Sequence, residues 1–295
     1  MLGTAREIVV DTDRGQIYGA FTGLKRERSF LEPGEVVLTF DDGPMPSITR
    51  PILDELDRHC VKATFFMIGR MAVAYPATAR EVMRRGHTVG SHTHTHSLRM
   101  RSMPLKSSVD DIERGIGAVA DAMGQPVAPF FRFPGLADSK EMVAHLASRG
   151  IGTFTVDVVS NDSYISDPSR LARETIAKIV KNKGGIVLFH DIKRSTLKAL
   201  PVILDELAKR GFRVVHIRPN DIGSVARGYE GKFQAQVARA LAREPALQTP
   251  VAIRQPPPPP AATATVPVKQ DLPRRQRDDP SGWSTVIVPV ARDAP

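Results

Sequence analysis

The sequence has a single cysteine, a single tryptophan and no long apolar stretch. With only Cys60 available, no intramolecular disulfide can form, which leaves the cellular compartment open. No apolar run approaches the roughly 20 residues that a membrane-spanning helix needs. Residues 1–30 mix charges with glycines and contain no apolar core of a signal peptide. We therefore expect a cytoplasmic protein, or a periplasmic or secreted one whose export signal lies upstream of residue 1.

Aromatic residues are also scarce, at 6% of the chain, and they do not alternate with basic residues as they do in RNA-binding proteins. The 295 residues carry 41 Lys and Arg against 32 Asp and Glu, a formal net charge of 41 − 32 = +9. This surplus is spread along the chain, so the sequence gives no indication of nucleic-acid binding. A hydrophobic content of 41% and a charged content of 25% are ordinary for globular proteins and exclude a collagen-like or wholly disordered chain.

The composition changes once, near Gln255. Five prolines at 256–260 are followed by Ala-Thr repeats and a charged stretch at 274–279. Such a segment buries too little apolar area to offset the entropy of ordering, so we predict a disordered tail over 251–295. Within it, residues 283–290 are mostly apolar and are a candidate docking segment. Before it, the apolar spacing over 221–247 predicts one helix packed on the outside of the fold.

Strand-like and helix-like segments alternate over about 180 residues upstream of that point. The predicted strands are 36–40, 63–68, 88–90, 130–133, 152–156, 186–189 and 212–217. The predicted helices are 48–56, 75–85, 109–123, 141–148, 171–180 and 197–209. This alternation predicts an α/β fold with a parallel sheet and outer helices. About seven such units favour a barrel over an open sheet.

Polar residues cluster after several of these strands, where the active site of a β/α barrel lies. The first cluster is TFDDGP at 39–44. It places Asp41 and Asp42 side by side, and two adjacent carboxylates repel unless a cation or an arginine lies between them. The alternative is a simple turn, which Asp-Asp-Gly-Pro also forms well.

The second cluster is HTHTH at 92–96. In a helical turn, His92 and His96 would share one face and suit a divalent metal. In an extended chain His94 would share their face as well, which makes it a rival ligand. Three histidines in five residues favour a metal site over a structural histidine.

Three further segments carry polar groups at strand ends. Arg132 is embedded in the apolar segment FFRFPG, where a buried charge requires a carboxylate partner; the alternative is a surface arginine on an edge strand. Asp157 and Asp162 follow the next strand, in a position where acidic residues are usually solvated. His190 and Asp191 end a buried strand, for which the alternative is a core histidine bonded to the backbone.

In their order and spacing, these segments resemble the polysaccharide deacetylase family, carbohydrate esterase family 4, also called the NodB homology domain. The supporting segments are TFDDGP at 39–44, ATFF at 63–66, GHTVGSHTHTH at 86–96, RFP at 132–134 and LFHD at 188–191. The resemblance covers residues 35–218. It divides the chain into an N-terminal extension (1–34), the deacetylase domain (35–218), a C-terminal helical extension (219–250) and the tail (251–295).

This resemblance implies a distorted (β/α) barrel and metal-dependent removal of N- or O-acetyl groups from a carbohydrate. Carried over by position, Asp42, His92 and His96 hold the metal, usually zinc. Asp41 is the general base and His190 the general acid. A metal lowers the pKa of water from about 15.7 to near 7, which supplies a nucleophile at neutral pH.

The resemblance also assigns supporting roles. Arg132 would orient Asp41, and Asp162 would support His190. Leu188 would line a small pocket for the acetyl methyl group.

The predicted substrate contacts include two residues of the third motif, Pro134 and Gly135, with the Gly135 N–H facing the developing oxyanion. The family usually has a tyrosine where Gly135 stands, and it often has a tryptophan where Ser163 stands. These departures affect substrate contact rather than the metal or acid–base groups.

The leading hypothesis is a zinc-dependent deacetylase of a glycan that contains N-acetylglucosamine, such as chitooligosaccharide or peptidoglycan. One alternative is a hydrolase of the same barrel that acts on another small amide, as allantoinase-like relatives do. Another is a weakly active glycan-binding module that keeps the metal as a structural element. The presence of Asp41, Arg132 and His190 argues against that module, because a structural metal needs none of them.

Overall fold

The computed structural model describes residues 2–27, 29–220 and 228–243. The predicted tail over 251–295, including the apolar segment 283–290, lies outside the described residues. So do both ends of the helix predicted over 221–247; within that range the described residues form a helix at Gln234–Leu241. Every described helix is too short or too polar to cross a bilayer.

Ten strands form one sheet in which every pairing between described strands is parallel. They are β1 (Thr4–Val10), β2 (Ile17–Tyr18), β3 (Glu35–Asp41), β4 (Thr64–Met67), β5 (Thr88–Ser91), β6 (Phe130–Phe131), β7 (Gly152–Phe154), β8 (Val158–Val159), β9 (Gly185–His190) and β10 (Arg213–Pro219). All seven predicted strands are present, and β1, β2 and β8 are additional. The chain therefore has the predicted α/β architecture of a distorted barrel.

The described residues also form eight α-helices, which lie around the sheet. They are α1 (Pro46–Arg58), α2 (Gly69–Ala74), α3 (Pro76–Arg84), α4 (Leu105–Met123), α5 (Lys140–Ala147), α6 (Pro168–Asn182), α7 (Arg194–Lys209) and α8 (Gln234–Leu241). Local sequence fixes several ends. The Asp167 side chain caps α6 by accepting from the Arg170 N–H, and α4 ends at Gly124 in the left-handed conformation.

Strand β3 is the centre of the sheet, and all seven of its residues are buried. Along one side it pairs with β9 over residues 36–41. On its other side it pairs with β10 at residues 35–36 and with β4 at residues 39–41. A run as apolar as EVVLTF is typical of such a central parallel strand, which is covered on both faces.

The two N-terminal strands extend this sheet at separate places. Strand β1 lies beside β10, with Thr4 opposite Val214 and Val10 opposite Pro219. Strand β2 lies beside β7 and borders the sheet on that side. In the described residues β2 is not paired with β8, so no continuous ladder closes the barrel there.

Side chains alternate between two hydrophobic layers along β3. Leu38 and Phe40 belong to the larger cluster, which fills the space between the sheet and the helices. Val37 belongs to a smaller cluster inside the barrel, together with Phe66 and Leu188. Because successive residues of a strand point to opposite faces, the side chain of Asp41 follows Val37 into the barrel interior.

Candidate active site

A cavity of about 350 Å³ opens at the carboxyl ends of the strands. Polar side chains from the last residues of β3 and β9 and from the loops after β3, β5 and β8 line it: Asp41, Asp42, His92, His96, Asp162 and His190. Of the ten residues that the sequence analysis predicts, these six, Leu188 and Gly135 line the cavity. Arg132 lies behind Asp41, and Pro134 is buried at the start of a single 3₁₀ turn.

Asp42, His92 and His96 form a group whose candidate ligand atoms all lie within 4.8 Å of one another. Asp42 Oδ1 is 3.1 Å from His96 Nε2 and 3.6 Å from His92 Nε2. That oxygen is buried and accepts no aligned hydrogen bond from the described residues. Two imidazoles and a carboxylate are a donor set that divalent transition metals prefer, so the residues present fit a metal ion.

The imidazole of His92 is held in the form that binds a metal. Its Nδ1 lies 2.7 Å from the backbone carbonyl of Arg132 and must donate to it, which directs Nε2 towards Asp42. Burial lowers the pKa of His92 to about 3, against the opposing charge of Asp42. The ring is therefore neutral across the physiological range.

The segment from His92 to His96 is a loop, not the helical turn that their spacing predicts. Two residues with positive φ bend its backbone, Thr93 at 65° and His96 at 59°. Thr93 Oγ1 accepts a hydrogen bond from the His96 N–H (3.0 Å), and its carbonyl accepts one from the Gly69 N–H (2.8 Å). This arrangement brings the two imidazole ring centroids to 4.9 Å.

His94, the rival ligand, lies on the opposite side of this loop. Its ring stacks on Phe233, the residue before α8, with centroids 5.2 Å apart, and its backbone N–H donates to the carbonyl of Asp111 in α4 (3.0 Å). It does not line the cavity that His92 and His96 share. The alternation of an extended chain therefore does not apply to this segment.

Arg132 and Asp41 form an ion pair inside the barrel. Arg132 has no exposed surface, and its Nη1 lies 2.7 Å from Asp41 Oδ1. The guanidinium also donates to Thr39 Oγ1 and to the carbonyl oxygens of Phe154 and Thr155. Burial raises the pKa of Asp41, although the charge of Arg132 opposes it. The result is a positioned carboxylate that is more basic than a solvated one.

Strand alternation alone would direct Asp41 and Asp42 to opposite sides of β3, yet both line the cavity. Asp42 has φ 79°, a left-handed conformation that turns its side chain back over the strand end. Its Oδ1 and the Oδ2 of Asp41 then lie 3.6 and 3.8 Å from His92 Nε2. Two neighbouring carboxylates thus approach one imidazole from different backbone directions.

His190 and Asp162 form a second ion pair at the cavity. His190 Nδ1 lies 2.6 Å from Asp162 Oδ1, and Asp162 Oδ2 accepts from the His190 N–H and from Thr196 Oγ1. Burial lowers the pKa of His190, but the hydrogen bond and charge of Asp162, with the charges of Asp41 and Asp42, raise it to about 9. The imidazole is therefore protonated at neutral pH, and its Nε2 lies 4.0 Å from Asp42 Oδ2.

Asp191 is a buried carboxylate to which the sequence analysis assigns no role. Its Oδ1 accepts from the Gly43 N–H (2.9 Å) and its Oδ2 from Thr49 Oγ1 (2.6 Å). Its own N–H donates to the carbonyl of Asp41 (3.2 Å). Asp191 therefore fixes the backbone on both sides of Asp42. The sequence signal for Asp191 is its place next to His190 at the end of β9. The family resemblance assigns a function to the histidine alone.

Leu188 and Gly135 lie on two walls of the cavity. Leu188 is 7% exposed and belongs to the apolar cluster inside the barrel. Gly135 has φ 60°, and a Cβ there would lie 3.2 Å from Leu98 Cδ2. Leu98 therefore fills the space above Gly135.

Comparisons with known proteins agree with this geometry. A family model for polysaccharide deacetylases matches residues 31–154. The chitooligosaccharide deacetylase of Bradyrhizobium sp. is 31% identical over 193 residues, which cover 61% of this chain and 87% of that enzyme.

Solved structures of similar fold include a deacetylase and a pseudoenzyme. The peptidoglycan deacetylase of Bdellovibrio bacteriovorus superposes with a TM-score of 0.67 at 31% identity, over 75% of this chain and 60% of that one. A family 4 carbohydrate esterase pseudoenzyme from Bacillus anthracis gives a TM-score of 0.55 at 25% identity, over 63% of this chain and 68% of that one. The chain thus spans less than two thirds of the Bdellovibrio protein.

The match to the Bradyrhizobium enzyme extends over most of that enzyme's length. The barrel and the cluster of two histidines and an aspartate at its strand ends accompany that match. The chain belongs to the polysaccharide deacetylase family, carbohydrate esterase family 4.

Proposed function

We propose that the protein is a zinc-dependent deacetylase that hydrolyses the N-acetyl group of N-acetylglucosamine units in a glycan. One observation carries this proposal. The group formed by Asp42, His92 and His96 opens onto the same cavity as Asp41 and His190, each of which has its own charged partner. A ligand set, a base and an acid around one cavity are the parts that amide hydrolysis requires.

Asp42, His92 and His96 would hold the zinc ion. Three protein ligands are typical of a catalytic zinc site, because they leave a coordination position open. When bound, the metal lowers the pKa of water and polarises a carbonyl oxygen.

Asp41 is our proposed general base. Its Oδ1 is engaged by Arg132 at 2.7 Å, which leaves Oδ2 directed towards the His92 side of the cavity. There Asp41 accepts a proton from the water that attacks the acetyl carbonyl carbon. The Gly135 N–H is our proposed donor to the oxyanion that forms, and Leu188 our proposed contact for the methyl group.

His190 is our proposed general acid. The C–N bond breaks when the tetrahedral intermediate collapses, and the amine is a poor leaving group unless its nitrogen is protonated. His190, with a pKa raised to about 9, carries that proton at neutral pH and donates it to the nitrogen. Asp162 holds the other ring nitrogen and stabilises the imidazolium.

The substrate class rests on the relatives. The Bradyrhizobium enzyme is a chitooligosaccharide deacetylase and the Bdellovibrio protein a peptidoglycan deacetylase, and both substrates contain N-acetylglucosamine. The Bacillus anthracis pseudoenzyme shows that the fold alone does not guarantee activity. In this chain the two charged pairs Arg132–Asp41 and His190–Asp162 favour an active enzyme, since a structural metal requires neither.

Acetate release tests the proposal. We expect the zinc-loaded protein to release acetate from a pentamer of N-acetylglucosamine, and a chelator to abolish the release until zinc is restored. Hydrolysis of allantoin without release of acetate from the pentamer would instead favour the small-amide alternative. Pentamer binding without any hydrolysis would favour the glycan-binding module.

A further inference from the structure

Two large apolar side chains at the mouth of the cavity are unusually exposed. Among the large hydrophobic residues that the structure describes, Tyr164 has the largest exposed fraction, 91%, and Leu98 the second largest, 65%. Both line the cavity that contains Asp42 and His190. A single exposed apolar side chain requires no explanation, but two at the rim of one polar cavity indicate a binding surface.

Tyr164 is held outward by its backbone. It ends a tight turn in which its N–H donates to the carbonyl of Asn161 (2.9 Å), and Asn161 itself has φ 66°. The same carbonyl accepts from the Ile165 N–H (3.0 Å), so the turn is fixed on both sides of the tyrosine. Its ring is therefore presented to solvent next to Ser163, which lies 3.4 Å from His190 Nδ1.

Leu98 lies beside Gly135 at the cavity. Its Cδ2 would lie 3.2 Å from a Cβ on Gly135, so the leucine occupies space that a larger residue at position 135 would need. Gly135 and Ser163 are the two positions at which the sequence lacks the large aromatic side chains usual in the family. Leu98 lies beside Gly135, and Tyr164 directly follows Ser163 in the chain.

We propose that Tyr164 and Leu98 form the sugar-binding rim of this cavity, with the Tyr164 ring as the platform for one pyranose ring of the glycan. The inference rests on the proposed function, since it names the residues that hold that substrate. A pyranose presents a face of C–H groups, and an aromatic ring supplies large contact area at a small cost in side-chain entropy. The hydroxyl of Tyr164 has no hydrogen-bond partner among the residues that the structure describes, and it can bond a sugar hydroxyl.

If these residues form a sugar-binding rim, their substitution should weaken the binding of long substrates and leave the rate of the chemical step unchanged. Tyr164→Ala should raise KM for the N-acetylglucosamine pentamer by about 3- to 10-fold, the usual value of one aromatic contact, with kcat nearly unchanged. Tyr164→Phe should restore most of the affinity, because the ring remains. Leu98→Ala should raise KM in the same direction. Hydrolysis of 4-nitrophenyl acetate, which is too small to reach the rim, should be unaffected in every variant.

Val202→Ala is the matched control, because Val202 is 51% exposed on α7 and does not line the cavity. Its KM for the pentamer should equal that of the parent. An equal KM for Tyr164→Ala and the parent would overturn the proposal that Tyr164 binds the sugar. So would a loss of kcat on both substrates, which would place Tyr164 in the catalytic machinery instead.

Calorimetric titration of the chelator-treated protein with the pentamer separates this inference from the proposed function. We expect the parent to bind, and Tyr164→Ala to bind about 3- to 10-fold more weakly. Equal affinities, or no binding by the parent, would overturn the rim. Binding that depends on Tyr164, in a zinc-loaded protein that releases no acetate, would refute the proposed deacetylase and leave the rim intact.

Discussion

Asp41 and Asp42 are neighbours in the sequence but have different partners. Asp41 is paired with the buried Arg132, whereas Asp42 faces the imidazole nitrogens of His92 and His96. The geometry therefore favours separate functions, a base and a ligand, rather than one shared function.

The amide variants of these two residues should fail differently. Asp41→Asn should keep the zinc and lose about 10²–10⁴-fold in kcat, the usual contribution of a positioned general base. Asp42→Asn should bind zinc more weakly, and excess zinc should restore part of its activity. Metal analysis of the purified variants alongside kinetics measures both. Equal metal loss in the two would mean that both carboxylates are ligands and that Asp41 is not the base.

The pH dependence should report on the partner of His190. The proposed general acid, His190, works in its protonated form and has a pKa raised to about 9, so kcat should fall as the pH rises through that value. Asp162→Asn removes the charge that raises this pKa and leaves only a neutral amide oxygen as acceptor, so the alkaline fall in kcat should move to lower pH. The pH–rate profile of the parent and variant measures the shift. If kcat falls at the same alkaline pH in the parent and in Asp162→Asn, that fall is caused by a group other than His190.

Asp191 should affect metal binding without touching the metal. Its carboxylate bonds the Gly43 N–H and Thr49 Oγ1, and removing it leaves a buried donor unsatisfied next to Asp42. Asp191→Ala should lower the unfolding free energy by about 1–3 kcal/mol and raise the zinc Kd. The control is Asp205→Ala on α7, a carboxylate that is 62% exposed. An unchanged zinc Kd in Asp191→Ala would limit its role to stability.

At the level of elements, buried central strands were predictable and edge strands were not. The mostly apolar sequence of β3, EVVLTF, predicts a buried strand. By contrast, β1 carries the exposed charges Arg6 and Glu7 and gives no such signal. β2 and β8 have two residues each, too few to show any period. Such strands form because neighbouring strands offer free backbone groups, which is a tertiary effect.

The members of the candidate site were predictable from motif spacing, but the backbone that assembles them was not. The left-handed conformations of Asp42, Thr93 and His96 are disfavoured for these residues individually. They persist because tertiary hydrogen bonds, such as Gly69 N–H to the Thr93 carbonyl, fix the loops. The i, i+4 spacing of His92 and His96 favours a helical turn for 92–96, but the surrounding structure holds the segment as a loop.

The ion pair between Arg6 of β1 and Glu35 of β3 should contribute measurably to the free energy of unfolding. Arg6 bonds both oxygens of the buried Glu35, at 2.8 and 2.7 Å, and lowers its pKa to about 2. This contribution is present above a pH of about 4.5, the ordinary pKa of a glutamate, and is lost as the pH falls towards 2. Arg6→Ala should therefore cost about 1–2 kcal/mol at pH 7 in denaturant unfolding, and less in acid.

Arg218→Ala is the matched control for the Arg6–Glu35 ion pair. Arg218 also joins β1 to its neighbour, but both it and its partner Glu7 are more than half exposed. An exposed pair contributes about 0–1 kcal/mol, so this variant should be close to the parent. Equal stability of Arg6→Ala and Arg218→Ala would contradict a special role for Glu35.

For the whole molecule, catalysis should be independent of the proline-rich tail. The groups proposed for binding and chemistry lie between residues 41 and 190, whereas the proline run begins at residue 256. A chain that ends at Gln255 should keep the kcat of the parent on the soluble pentamer. Circular dichroism controls for its fold. Loss of most activity in a well-folded shortened chain would show that the tail takes part in catalysis.

The pairing of β1 with β10 has a consequence for the order in which this molecule folds. Thr4 lies opposite Val214, so these first and last strands of the sheet meet only after more than 200 intervening residues have been synthesised. Contacts so distant in sequence cost the most loop-closure entropy and form slowly. During translation β1 is therefore made long before β10, the strand with which it pairs. An unpaired strand edge is a template for aggregation. Arg6 and Glu7 place charges of opposite sign on this strand, and charged side chains on an edge strand disfavour its pairing with another chain.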